Sequence, residues 1–70
     1  MEERQMKQTL SLISDYSLDH AVHGINNVLQ DLREELGDKR FGNDLYAKLL
    51  EVSTALDMEY MSRQRKKAGI

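Results

Sequence analysis

Residues 17–37 read SLDHAVHGINNVLQDLREELG, and their spacing sets the architecture. Apolar side chains fall at Leu18, Val22, Ile25, Leu29, Leu32 and Leu36, in steps of 4, 3, 4, 3 and 4. That is the spacing of a helix with one buried seam. Ala21 and Val28 lie beside the seam and widen it, which suits a bundle better than a bare two-stranded coil. Ser17 fits an N-cap, Asp19 then sits in the first turn where the helix dipole favours an acid, and Gly37 fits the residue just past the end. The spacing predicts a helix over about residues 17–36. Gly24, inside it, is either a tolerated surface glycine or part of a small-residue row with Ala21 and Val28 that lets another backbone come close.

The next stretch, GDKRFGND at 37–44, holds two glycines and three Asn/Asp residues and reads as a turn over 37–43. Phe41, the one phenylalanine, is expected to fold back over the open end of a hairpin; the alternative is an exposed anchor for a partner. A second long helix is expected over about 44–66, capped by Asn43 or Asp44. Its seam is read as Leu45, Leu49, Val52, Leu56 and Tyr60, with Tyr46, Leu50 and Ser53 alongside. A short connection between two such helices makes an antiparallel αα-hairpin.

Upstream, Met6, Leu10 and Ile13 step by 4 and 3. The positions that would carry the later seam backwards are Asp15, Ser11 and Gln8, so the phase breaks. SDYS, at 14–17, offers two cap candidates. A separate short helix over about 2–14 is expected. The fold class is therefore all-α: a short N-terminal helix, then a two-helix hairpin whose seams are completed by oligomerisation or by a partner.

Composition narrows the function. Seventy residues make a single domain with a small core. With no cysteine there is no disulfide and no thiolate metal site. His20 and His23, three apart on one helix, have no third ligand that converges on them, and solvated histidines explain the pair. The acids Asp31, Glu34, Glu35 and Asp38 read as the solvated face of a helix. No glycine-rich phosphate loop and no nucleophile–base pair is present, and the chain has little room for a substrate pocket of a few hundred Å3. No catalytic residue, metal, cofactor or small-molecule substrate is expected. No apolar run approaches the roughly 18 residues of a membrane span, and MEERQMKQ is too charged to open a signal peptide. A cytoplasmic protein without a membrane contact is expected.

Net charge is −2 but uneven. Residues 17–38 sum to −4 and residues 63–70 to +4. The tail SRQRKKAGI carries Arg63, Arg65, Lys66 and Lys67. Cations in a last helical turn complete the helix dipole, and Arg63 has Glu59 four residues before it. A dimer would present about eight such charges, enough to hold a phosphate backbone. The leading expectation is a protein–protein interaction module, a small adaptor, co-chaperone or regulator that acts through its apolar helical face. Its partner is a second copy of itself or another helical protein. The alternative is a nucleic-acid-binding regulator using the basic end of a dimer, with Arg63, Arg65, Lys66 and Lys67 on phosphates.

INNVLQDLREELG, the turn, and LYAKLLEVSTALDMEYM together resemble small helical-hairpin co-chaperones of the type III secretion needle subunit. Leu29, Leu32 and Leu36 before Gly37, and Tyr46 and Leu56 after it, fall where that family has its apolar positions. The resemblance spans about residues 18–61. It implies a non-enzymatic protein that holds a larger helical-repeat chaperone and, with it, a secreted subunit.

Overall fold

The computed structural model describes residues 3–69. Helix α1 runs Glu3–Leu10, α2 runs Asp15–Leu36, a 3-10 helix runs Gly37–Gly42, and α3 runs Asp44–Lys67. No strand occurs among the described residues. The chain is all-α, a short N-terminal helix followed by a helical hairpin, as the spacing predicts.

Three boundaries differ from the sequence reading. The first helix stops at Leu10, not near 14; its expected start at residue 2 lies outside the described residues. After Leu10 the amides of Leu12 and Ile13 reach back only three residues, to the carbonyls of Thr9 and Leu10 at 3.1 Å. The Ser11 hydroxyl donates to the Gln8 carbonyl at 2.6 Å. This tightening ends the helix. The second helix begins at Asp15, and Ser14, not Ser17, caps it. Ser14 is extended (φ −66°, ψ 158°), and its Oγ accepts the amide of Ser17 at 3.1 Å. Ser17 is thus the residue capped, and Asp15 is the acid in the first turn. The expected turn at 37–43 is wound as a 3-10 helix instead. Gly37 closes α2 at φ 55° and ψ −130°, a positive-φ conformation open to a residue without a Cβ, its amide donating to the Arg33 carbonyl.

Asn43 caps α3: its Oδ1 accepts the amide of Tyr46 at 2.9 Å. Phe41 does not fold over the hairpin. It is 78% exposed, with the Arg40 guanidinium 4.5 Å from its ring centroid.

The hairpin is antiparallel, and its register is fixed by two side-chain pairs. Ser53 Oγ donates to Asn26 Oδ1 at 3.3 Å, and Arg33 Nε donates to the Tyr46 hydroxyl at 3.3 Å. At the open end, Leu18, Val22 and Leu56 form the buried cluster, with Leu10, Ile13, Ala21, Ile25 and Tyr60 packed around it. Leu29 and Tyr46 are buried nearer the turn. Helix α1 lies against the C-terminal part of α3.

Candidate interaction surface

The α2 seam sits where the spacing places it. Leu18, Val22 and Leu29 are buried, and Ile25, Leu32 and Leu36 are half-buried. The α3 seam does so at Leu49, Leu56 and Tyr60 and departs at two positions. Its buried residues are Tyr46, Ser53 and Leu56, with Leu49 and Tyr60 half-buried. Leu45 and Val52, expected in the seam, are 62% and 46% exposed. Leu49, Leu56 and Tyr60 keep their expected places, so the inward face is rotated by only about 40°, part of one 100° residue step. What holds it there is polar. Tyr46 reaches Arg33 with its hydroxyl, and Ser53, 5% exposed, reaches Asn26. A seam read from apolar spacing alone passes over both.

The turn leaves an apolar face uncovered. The Asn26, Arg33, Tyr46 and Ser53 contacts run along one edge of the α2–α3 seam. Leu45 and Val52 each precede one of those residues and point about 100° away, to the other edge. Val28, two residues past Asn26, lies on that same other edge, and is exposed. Half-buried Leu32 and Leu49 lie between the two exposed rows. Helix α1 has eight residues, about 12 Å of helix. It flanks α3 near the open end and does not reach the half of the hairpin beside the turn.

A groove lies between α1 and α3. Met6, Leu10, Ala55, Met58 and Met61 line it, with Lys7, Glu51 and Arg65 at its margin. Met58 and Met61 are exposed, while Tyr60 packs on the core. Gly24 is exposed, and a Cβ built there has nothing within 4 Å. Within the chain it is therefore a surface glycine, approached by no other backbone.

The basic end divides in two. Arg63, its side chain 17% exposed, is inside the fold. Its Nε donates to Glu59 Oε2 at 2.8 Å, one terminal nitrogen to Asp15 Oδ1 at 2.9 Å, and the other to the Leu10 carbonyl at 3.0 Å. Lys67 Nζ lies 3.2 Å from Asp15 Oδ2. The Arg63 hydrogen bond, then that of Lys67, holds the Asp15 carboxyl below its ordinary range; Glu59, then Asp15, raises Arg63. One guanidinium thus ties together the end of α1, the start of α2 and the end of α3. Sequence spacing gave only the Glu59 partner, because the other two lie 48 and 53 residues away. Arg65 and Lys66 are exposed.

His20 stacks on Tyr16 with ring centroids 4.3 Å apart, and His23 Nδ1 lies 2.8 Å from the Asp19 carbonyl. Among the described residues no three His, Asp or Glu side chains converge as a metal site, and no helix is long and apolar enough to cross a membrane. No family model, no curated protein and no solved structure matches the chain.

Proposed function

We propose that this chain is a non-enzymatic protein–protein interaction module, a small adaptor, co-chaperone or regulator. The observation that carries this reading is the uncovered apolar face at Val28, Leu45 and Val52, joined underneath by Leu32 and Leu49. Isolated exposed apolar residues are ordinary, whereas a contiguous apolar face on a domain with so small a core marks a docking surface. Two adjacent helices offer it as a shallow groove, the shape that receives an amphipathic helix. A co-chaperone that holds a helical chaperone, as the likeness over residues 18–61 implies, is one form such a module takes.

The nucleic-acid reading loses ground at Arg63 and Lys67. Both spend their charge on Asp15, which leaves Arg65 and Lys66 free to meet phosphates. Two cations are a weak footprint on a chain of net charge −2.

A pull-down from nuclease-treated lysate at moderate salt tests the reading. The expected result is a protein partner retained by R65A/K66A and lost by L45D/V52D. These substitutions sit on exposed positions, so the variants keep their helical circular dichroism. Recovery of nucleic acid that R65A/K66A abolishes and L45D/V52D leaves intact overturns it. Removing residues 63–70 is the poorer experiment, because it also cuts the Arg63 tie.

A further inference from the structure

We infer that α1 is an exchangeable arm: the bend at Ser14 straightens, α1 and α2 become one helix, and α1 docks on α3 of a second copy in the place it holds on its own. That place lies away from the face beside the turn, and the structure shows what fills it. The arm is lightly held. A helix of eight residues is too short to persist undocked. Of residues 5–10 only Met6 and Leu10 are half-buried. Leu10 packs at the core cluster, and its carbonyl accepts one Arg63 nitrogen at 3.0 Å. The groove beside them stays open, with a volume of about 450 Å3.

The hinge is one that a helix can run through. Residues 3–23 contain no glycine and no proline. The chain stays coiled past Leu10, with the Ser11 amide on the Lys7 carbonyl and those of Leu12 and Ile13 reaching back three residues. Ser14 marks the bend. Its φ of −66° already suits a helix, and its ψ of 158° does not. Among the described residues the amides of Ser14, Asp15 and Tyr16 donate to no backbone carbonyl. A straight helix offers them the carbonyls of Leu10, Ser11 and Leu12, at the cost of the Ser14 cap on Ser17.

A straightened arm runs out past the open end of its own hairpin, beyond the reach of its own α3. Ile13 to Leu18 is a step of five, so Met6, Leu10 and Ile13 stay off the α2 seam and are buried only by another chain. The direction fits. Leu10 lies by Arg63, and the groove it shares with α3 extends back to Thr54 and Glu51, so α1 runs parallel to α3. Two hairpins set open end to open end about a two-fold axis give each straightened arm the other's α3, again parallel. The contacts of α1 on α3 are remade twice, and only the hinge differs.

Sedimentation equilibrium on the full chain, up to millimolar concentration, tests this. The expected behaviour is a monomer–dimer equilibrium. S14A should tighten the dimer about thirtyfold, since the cap already lost in each of two copies is worth roughly fivefold. S14P suits the bend at φ −66° and cannot continue a helix, so it should be monomeric and helical by circular dichroism. L10D, whose arm cannot dock, should be monomeric too, while L45D/V52D should leave the dimer intact. Spin labels at Q5C and Q30C of one chain, both exposed positions, should lie about 38 Å apart in the dimer and closer in the S14P monomer. Wild type and S14A both monomeric at millimolar concentration overturn the exchange. So does a dimer kept by L10D, a dimer lost in L45D/V52D, or a dimer whose label spacing matches that of S14P.

Discussion

Arg63 shows most clearly how a single residue can hold three helices. Its hydrogen bonds to Glu59, Asp15 and the Leu10 carbonyl close the open end of the hairpin and fasten α1 to it. Arg63→Ala is expected to lower the melting temperature and to free α1, read as faster amide exchange over residues 5–10. Arg65→Ala, at an exposed position, should stay within about 0.5 kcal/mol of the parent. The same contact predicts a pH dependence. Asp15 has a folded pKa below its unfolded value of 3.8, so its ionised form binds better in the fold. Its contribution is therefore fully present above that value and is lost as pH falls through the lower, folded one. The stability gap between the parent and Asp15→Asn should be flat from neutral pH down to about 5 and close in strongly acid solution. Gly24 is the opposite case, a residue with no structural task. Gly24→Ala should stabilise the chain by about 1 kcal/mol, measured by urea unfolding; a loss would mean that the glycine meets a partner's backbone.

At the scale of the element, the caps set where helices begin. Ser14 and Asn43 each accept an amide three residues on. Ser14→Ala should cost about 1 kcal/mol and speed exchange at the Ser17 amide. Ser17→Ala should cost less, because the Ser17 side chain caps nothing. The spacing of α2 reads correctly in sequence because all six seam positions are apolar. The α3 seam is misread at Leu45 and Val52, where the next residue along faces inward, for a physical reason. Two of its positions, Tyr46 and Ser53, face inward on hydrogen bonds to side chains 13 and 27 residues away. A pattern built on hydropathy along one helix has no means of registering a partner on another. The 3-10 winding of residues 37–42 is hidden likewise: glycines and Asn/Asp announce a reversal of direction and do not specify its pitch.

For the whole molecule, the core is thin. Among the described residues five apolar side chains are buried, three of them, Leu18, Val22 and Leu56, in one cluster. Leu56→Ala should cost about 2–5 kcal/mol, comparable to the roughly 3–5 kcal/mol a core of this size supplies. Circular dichroism should show that variant largely unfolded at low concentration. If α1 is exchanged with a second copy, the melting temperature of the parent will rise with protein concentration, by mass action. A melting temperature independent of concentration would mean the monomer stands on its own.

The fold class, the number of helices, their approximate extents and the inward face of α2 follow from the order of residues, because helical periodicity, capping and turn chemistry are local. The phase of α3, the exposure of Leu45, Val52 and Phe41, the sorting of the basic end into tied Arg63 and Lys67 and free Arg65 and Lys66, and the apolar face left uncovered by α1 do not. Each depends on contacts between residues far apart in the chain. Which side of an amphipathic helix turns inward is settled when polar groups such as Tyr46, Ser53 and Arg63 find their partners across the seam.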